Sequence, residues 1–319
     1  MWFIVSIILL IITTLSVVLK IYCKLTTGIC RSSKHLVGKV TIVTGGNKGI
    51  GYETCKDFAE RGAKVILACR SERLGTAARD AIVSATGNAD VHFRQLDLSS
   101  LASVRAFAEG ILKTEKRLDI LVNNAGVFEV ENKKTEDGLL LAMQTNHFGP
   151  FLLTNLLLPL LKSSAPSRIV NVSSGAYRFG KLEFDNLNAE KETNETYSFS
   201  QVYQNTKLFN ILMTVELAKR LEGTKVTTNS LHPGLVATDI ILNVKNVFYK
   251  LFILFGNSFS KTSWEGAQTS IYLAVSPEVE GISGKYYSDC HEKTLKGIAN
   301  DKDLARKLWD VSEKVVGLK

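Results

Sequence analysis

Residues 41–55, TIVTGGNKGIGYETC, join the end of a β-rich apolar run to the start of an amphipathic helical stretch. Gly45, Gly49 and Gly51 lie at this junction. Glycines permit a tight turn and let the backbone approach a pyrophosphate, and the N-terminus of the following helix favours its negative charge. A glycine cluster is weak evidence alone, but its position between a strand and a helix makes it specific. The stretch therefore predicts a dinucleotide-binding βα unit.

The remainder of the chain repeats this alternation of strand and helix. Candidate strands lie at 39–44, 64–69, 91–97, 119–124, 168–173, 225–232 and 285–288. Candidate helices include 50–61, 71–86, 99–115, 149–162, 203–221 and 264–274. Repeated strand–helix–strand units form parallel sheets with helices on both faces, and the apolar strands here suit a sheet covered on both sides. The sequence predicts an α/β fold, a Rossmann-type doubly wound parallel sheet of about seven strands.

The amino-acid composition and charge narrow the classes of function that the protein could have. The 319 residues are 45% hydrophobic and 22% charged, as in globular proteins. The net charge is +8, but no basic arm or arginine-rich run with interleaved aromatics is present, so no nucleic-acid partner is predicted. The five cysteines are scattered without a CxxC pair, which predicts neither a disulfide framework nor a metal site.

The first residues differ from the rest. Residues 2–19 contain no charge and are just long enough to span a bilayer, and basic residues follow them at Lys20, Lys24, Arg31, Lys34 and Lys39. A cleaved signal peptide is the alternative, but no basic residue precedes the run and no A-x-A site follows it. We predict a membrane anchor at 1–22, a basic juxtamembrane linker at 23–38 and a catalytic domain at 39–319. The basic flank places that domain in the cytosol.

The second predicted strand ends in LACRSER, with Arg70 where NAD-specific sites usually carry an acid for the ribose 2′-hydroxyl. Lys48 adds a cation inside the glycine loop. Two cations and no carboxylate fit a 2′-phosphate, which predicts NADP rather than NAD. The alternative is that both side chains are merely solvated.

Tyr203 and Lys207 are four residues apart in a helical stretch, so they share one helix face. Free tyrosine, with a pKa of about 10, is a weak base near neutrality, and an adjacent cation favours its phenolate. An exposed face carrying one aromatic and one solvated charge is the alternative.

Further motifs occur in a characteristic order. NNAG closes the fourth predicted strand, QTNHFGPF carries Asn146, and RIVNVSS places Ser173 and Ser174 at the end of the fifth. With the glycine loop and the Tyr203–Lys207 pair, these motifs resemble the short-chain dehydrogenase/reductase family from about Lys39 to the C-terminus. GICR (28–31), NHFGPFLLTNLLLPLLK (146–162), HPGLVATD (232–239) and SGKYYSDC (283–290) look like its microsomal retinol dehydrogenases.

The resemblance implies a role for each matching residue. Tyr203 would be the acid/base, Lys207 would tune it and bind the nicotinamide ribose, and Ser174 would bind the substrate oxygen, with Ser173 as the competing candidate. Asn146 would hold a water for proton relay, or else would be a structural cap at a kinked helix. The implied cofactor-binding positions are Gly45, Asn47, Lys48, Gly49, Ile50, Gly51, Arg70, Asp97, Leu98, Asn124, Ala125, Gly126, Tyr203, Lys207, Pro233, Gly234 and Thr238.

Two segments look like additions around the substrate. Residues 175–202 are polar and helix-poor, and the apolar, aromatic residues 237–258 would form a lid, unless they simply pack in the core. An anchor beside an apolar lid suits a lipid-soluble alcohol or carbonyl, such as retinol and retinal, at the endoplasmic reticulum membrane. A broad lipid-carbonyl reductase and a non-catalytic NADP-binding scaffold are the alternatives. The resemblance also implies a homodimer.

Overall fold

A twisted sheet of eight strands forms the centre of the molecule; the computed structural model describes residues 2–128, 130–236 and 260–319. The strands are β1 Val40–Thr44, β2 Lys64–Cys69, β3 Val91–Gln95, β4 Ile120–Asn123, β5 Ser167–Val172, β6 Val226–His232, β7 Tyr286–Ser288 and β8 His291–Glu292. Their order across the sheet is β3-β2-β1-β4-β5-β6-β7-β8. The predicted Rossmann-type arrangement is confirmed, and each of the seven predicted strands is present.

The sheet has one strand more than the sequence predicted. Strand β8 has only two residues and pairs antiparallel with β7, whereas β1 to β7 are parallel. The chain reverses between them at Asp289 and Cys290, which have positive φ angles of 54° and 59°. So short a strand leaves no periodic pattern in the sequence, which is why it was missed.

Helices cover both faces of the sheet. They are α1 Trp2–Thr26, α2 Gly49–Glu60, α3 Glu72–Thr86, α4 Leu101–Thr114, α5 Leu141–Met143, α6 Gly149–Ser163, α7 Phe199–Arg220, α8 Ser263–Val275 and α9 Lys302–Val315. Helices α2, α3 and α8 pack on one face around Phe58 and Ile271. Helices α4, α6, α7 and α9 pack on the other around Phe151 and Trp309. The fold is therefore a three-layer α/β/α sandwich.

Helix α1 continues to Thr26, past the predicted end of the anchor at residue 22. In the portion of the chain that the structure describes, no helix is both long enough and apolar enough to cross a membrane. The transmembrane anchor therefore stays a prediction.

A row of buried polar side chains crosses the middle of the sheet. Asn123 on β4 donates from Nδ2 to the Asn171 side-chain oxygen on β5 at 2.8 Å and to Thr154 Oγ1 at 2.9 Å. Asn171 donates in turn to Thr214 Oγ1 and Thr228 Oγ1, at 3.0 and 3.2 Å. Both asparagines are nearly inaccessible to solvent.

The arrangement of strands locates the site. Strand β1 lies between β2 and β4, so the chain crosses to the opposite half of the sheet after β3. In open α/β sheets, ligands bind at such a switch point, beside the carboxyl ends of the strands. The glycine loop after β1 and the NNAG segment after β4 meet there.

Candidate active site

The glycine loop is closely packed against its own backbone. Gly45 and Gly49 have positive φ angles of 68° and 58°, which favour glycine. A Cβ on Gly51 would lie 2.3 Å from Gly45 O and 2.5 Å from Asn124 Nδ2. The loop therefore forms a shallow cradle that a larger side chain would push outward.

The N-terminus of α2 opens from this cradle. Its N-cap position, Lys48, makes no side-chain cap hydrogen bond, whereas five other helices begin with a capping side chain, at Ser71, Ser100, Ser198, Thr262 and Asp301. The first N–H groups of a helix need an acceptor, and a phosphate is suited to that position. Asn47, Gly49 and Ile50 line the same turn. The loop therefore fits the pyrophosphate of a dinucleotide.

Thr44 joins the two halves of the cradle, a role the sequence did not reveal. Its Oγ1 accepts hydrogen bonds from the backbone N–H groups of Asn124 and Ala125, both at 3.0 Å. The Asn124 side chain donates back to Thr44 O at 2.8 Å. A threonine as the last residue of the strand, just before the glycines, was the available signal. Asn124 and Ala125 are thus held beside the loop, whereas Gly126 lies near Asn146 and Lys207.

A cavity of about 410 Å³ lies beside the edge strand β3 and helix α4, and Arg70, Arg94 and Asp97 are among its lining residues. Asp97 accepts from Ser99, and its backbone N–H donates to Ser103 Oγ at 3.0 Å. Leu98 is buried in the core behind it. Arg94 was missed in the sequence. The signal was its position two residues before the buried Leu96, on the same face of an edge strand.

Tyr203 and Lys207 lie one turn apart on α7, and Lys207 Nζ is 5.4 Å from the centre of the Tyr203 ring. The side chain of Ser174, just after β5, hydrogen-bonds to Tyr203. Ser173 points inward and donates from Oγ to Lys207 O at 2.7 Å. The structure thus brings Tyr203, Lys207 and Ser174 together and gives Ser173 a structural contact.

The protein alone shifts both ionisable groups toward their neutral forms. Burial raises the pKa of Tyr203, and the Ser174 hydrogen bond opposes that shift. Burial lowers the pKa of Lys207 to about 8, and its ammonium donates to Val172 O at 3.3 Å. Desolvation is the larger of the two effects on Tyr203. The predicted lowering of the Tyr203 pKa by Lys207, with an oxidised nicotinamide bound, stays a prediction. At neutral pH Tyr203 is a proton donor.

Asn146 lies in a π-helix, Gln144–Phe148, between α5 and α6. Its Oδ1 accepts from Val127 N at 2.7 Å, and its Nδ2 donates to Val127 O at 2.9 Å and to Thr206 Oγ1 at 3.2 Å. Both side-chain donors are therefore engaged in holding the segment after β4 against α7. The helix cap and the water relay both stay predictions.

Two phenylalanines, Phe128 and Phe199, form an aromatic wall beside Tyr203. The Phe128 ring lies edge-on to Tyr203, with centroids 4.9 Å apart, and also to Phe199 at 5.4 Å. The sequence did not single out either phenylalanine, because only the fold brings them together. Residues 175–202 form one 3-10 turn, Gly175–Phe179, followed mainly by turns until α7 begins at Phe199, as the polar sequence predicted.

The segment after β6 is described only in part. Pro233 and Gly234 follow β6 at the carboxyl edge, and Gly234 has a φ angle of 91°. Thr238 and the predicted lid at 237–258 lie outside the described residues. In the portions 2–128, 130–236 and 260–319, no cluster of side chains could hold a metal ion.

Comparisons with known proteins agree with this arrangement. The sequence model of the family described as short chain dehydrogenase matches residues 39–246. Retinol dehydrogenase 14 of Homo sapiens is 49% identical over 296 residues, covering 88% of this chain and 87% of that protein. Retinol dehydrogenase 11 of Homo sapiens is 46% identical over 294 residues, covering 92% and 91%.

Solved structures share the fold. Salutaridine reductase from Papaver somniferum superposes with a TM-score of 0.60 at 26% identity, covering 78% of this chain and 99% of that one. The NADP active-site complex of RhlG from Pseudomonas aeruginosa superposes with a TM-score of 0.60 at 27% identity, covering 79% and 94%.

Proposed function

The chain belongs to the short-chain dehydrogenase/reductase family, and on that premise we propose that it interconverts retinol and retinal with NADP(H). It is an oxidoreductase that acts on CH–OH donors with a nicotinamide cofactor. The observation that carries the proposal is the convergence of Tyr203, Lys207 and Ser174 at the carboxyl edge of the sheet. The retinoid assignment draws support from the named relatives.

In the reducing direction, each of these residues has a separate task. Ser174 donates a hydrogen bond to the carbonyl oxygen and stabilises the charge that develops on it. Tyr203, protonated at neutral pH, transfers its proton to that oxygen as the alcohol forms. Lys207 keeps a positive charge beside the phenolate that remains. When bound, the nicotinamide supplies the hydride, or accepts it in the oxidising direction.

Three cations support the choice of NADP. Arg70 and Arg94 line the cavity at the adenosine end, and Lys48 lies at the N-cap of α2. We propose that Arg70 and Lys48 bind the 2′-phosphate, since arginine and lysine are the usual partners of phosphate. Replacing each by Gln should raise the KM for NADPH about 10- to 100-fold, because a hydrogen bond to a charged group contributes about 1.5–3 kcal/mol.

The comparison between cofactors tests that assignment. The KM for NADH should change little in both variants, and Arg306→Gln, at an exposed arginine on α9, serves as control. Equal losses with NADPH and NADH would remove the basis for 2′-phosphate recognition.

An apolar substrate fits the aromatic wall beside the tyrosine. Phe128 and Phe199 present ring edges next to Tyr203, so the reacting carbon lies against hydrocarbon. The runner-up function, a broad reductase of isoprenoid aldehydes or steroid ketones, has the same requirement. Membranes containing the full chain should be assayed with NADPH and a panel of apolar aldehydes and ketones. Retinal should give the highest kcat/KM; a higher value for another carbonyl would favour the runner-up.

A tyrosine variant separates catalysis from cofactor binding. Tyr203→Phe should lower kcat about 10²- to 10⁴-fold, the usual contribution of a general acid, while the Kd for NADPH changes little. Tyr272→Phe is the matched control, since that hydroxyl bonds Glu278 away from the site. Near-normal turnover in Tyr203→Phe would instead favour a non-catalytic NADP-binding scaffold.

We further propose that residues 1–22 anchor the chain in the endoplasmic reticulum membrane, with residues 39–319 facing the cytosol as the catalytic domain. The uncharged run at 2–19 and its basic flank support this topology. Asn194, in the sequon Asn194-Glu195-Thr196, is exposed and reports on it. The protein from microsomes should show no endoglycosidase-sensitive mass shift; a shift lost in Asn194→Gln would reverse the topology.

We also propose that two copies of the chain pair through α6 and α7, the long helices between β4 and β6. Light scattering of the detergent-solubilised protein should give the protein mass of a dimer. A monomer mass would exclude the pairing.

A further inference from the structure

The segment after α1 follows a fixed course over the domain. We call residues 27–36 the strap. Gly28 N donates to Asp289 Oδ1 at 3.3 Å, and Cys30 N donates to Gln268 Oε1 at 3.1 Å. Farther along, the Arg61 guanidinium donates to Ser32 O at 2.7 Å. The strap is therefore bound to the domain along its length, and it joins two motifs, GICR and SGKYYSDC, that the proposed chemistry leaves without a role.

Contact is tightest where Gly28 meets Asp289. A Cβ on Gly28 would lie 1.9 Å from Asp289 O, so only glycine fits there. Asp289 and the following Cys290 both adopt the left-handed region, which is unfavourable for residues other than glycine. Such conformations persist only where surrounding contacts hold them. Asp289 is thus fixed from several sides.

The carboxylate of Asp289 forms a second contact, with the ammonium of Lys261. The Lys261 side chain is 12% exposed. Burial would raise the pKa of Asp289, but the hydrogen bond and charge of Lys261 lower it. Asp289 is therefore ionised at neutral pH, and the same carboxylate binds both the strap and the lysine.

Lys261 in turn holds the segment that follows β6. Its side chain lies across Gly234, since a Cβ there would be 2.8 Å from Lys261 Cδ and Cε. Its backbone N–H donates to Leu235 O at 2.7 Å, and it forms a parallel bridge with Val236. One lysine thus fixes residues 233–236 through both its main chain and its side chain.

We infer that Asp289 is a positioning residue for hydride transfer, because it joins the strap, through Lys261, to the Pro233–Gly234 turn. The inference rests on the proposed function and on the family resemblance, which implies that Pro233 and Gly234 cradle the nicotinamide amide. The strap leads directly from α1, and Lys24 at the end of α1 also pairs with Glu265 on α8. The N-terminal segment is therefore a structural part of the nicotinamide end of the site.

Two variants break the connection at different points. Asp289→Asn removes the charge that holds Lys261, while Gly28→Ala displaces the strap and keeps both charged partners. Asp303→Asn, at a side chain that is 86% exposed, is the control for the first variant. Ser84→Ala, at an exposed position of α3, is the control for the second.

Four measurements on the full-length protein in detergent micelles decide the inference. Both variants should show faster tryptic cleavage after Arg31 or Lys34 and a kcat about tenfold lower, because a shift of about 1 Å in a reacting group can cost up to 10²-fold. The Kd for NADPH should stay within about twofold of the wild-type value. The glycine loop and Arg70 form the other end of the cofactor site, which is separate from the strap and the turn. Emission from bound NADPH should shift, because it reports the surroundings of the nicotinamide.

Specific outcomes overturn the inference. A released strap with wild-type kcat and wild-type NADPH emission would show that strap and turn are independent. Parallel losses of kcat, NADPH affinity and thermal stability would show a general structural role. Should wild-type protein reduce no carbonyl, the proposed function fails, and the NADPH emission of Gly28→Ala then decides the inference: a shift supports it and no shift refutes it.

Discussion

Gly51→Ala tests whether the glycine loop is the pyrophosphate cradle. The new Cβ would lie 2.3 Å from Gly45 O and 2.5 Å from Asn124 Nδ2. Ordinary contacts between such atoms begin near about 3.5 Å, so the loop must yield by about 1 Å. Both atoms are held in place, because Gly45 O belongs to the backbone and Asn124 Nδ2 donates to Thr44 O at 2.8 Å.

The displacement translates into a loss of cofactor affinity. Moving the loop by this distance should break one or two N–H contacts to the pyrophosphate, each contributing about 1.5–3 kcal/mol for a charged acceptor. We expect the Kd for NADPH to rise about 10- to 100-fold or more. Helix propensity acts the other way, because alanine in a helix is about 1 kcal/mol better than glycine. The fold should therefore survive.

Fluorescence titration with NADPH measures the Kd, and thermal denaturation without cofactor measures the fold. Ser84→Ala, also within a helix but at an exposed position of α3, should leave the Kd within about twofold of wild type. Wild-type affinity in Gly51→Ala would refute the cradle. A collapse of the melting temperature with an unchanged Kd would equally contradict the geometry.

Three other predictions concern charged or titrating groups. With a pKa of about 8 for Lys207, kcat/KM for carbonyl reduction should fall as the pH rises through 8, because the cation beside Tyr203 is lost; rates at pH 6 to 9.5 check this. Burial lowers the pKa of His147 to about 3, so the folded state keeps it neutral while the unfolded chain protonates below about 6.5. The free energy of unfolding should therefore decrease as the pH falls from 6.5, less steeply in His147→Gln, as urea titrations will show. Arg94→Gln should raise the KM for NADPH several-fold, by about 1 kcal/mol, and leave that for NADH unchanged.

Local patterns predicted much of the fold and the site. The glycine loop and the Tyr203–Lys207 pair could be predicted because their residues are neighbours along one turn or one helix. The parallel sheet followed from the alternation of apolar strands with helices. In these cases the sequence separation is short, and the geometry of a helix or strand fixes the rest.

Other features depend on contacts that no local pattern contains. Gly28 and Asp289 are 261 residues apart, so their contact appears only after the sheet has formed. The pKa of Tyr203 rises because burial outweighs the hydrogen bond with Ser174, and burial is a property of the folded domain. The contact between the Phe128 and Tyr203 rings likewise depends on the fold, because the two residues are far apart in the sequence. Sequence reasoning identified the chemical groups but not their solvation.

The asparagine row across the sheet has a consequence for folding fidelity. Strand β4 is apolar apart from Asn123, and β5 carries Ile169, Val170 and Val172, so hydrophobicity alone would accept several alignments between them. A slip by one residue turns each side chain to the opposite face. Asn123 would then leave Asn171 and Thr154, and each buried donor without an acceptor costs about 1–3 kcal/mol. These amides therefore favour the native register, because they destabilise misregistered sheets that would otherwise compete with the native one.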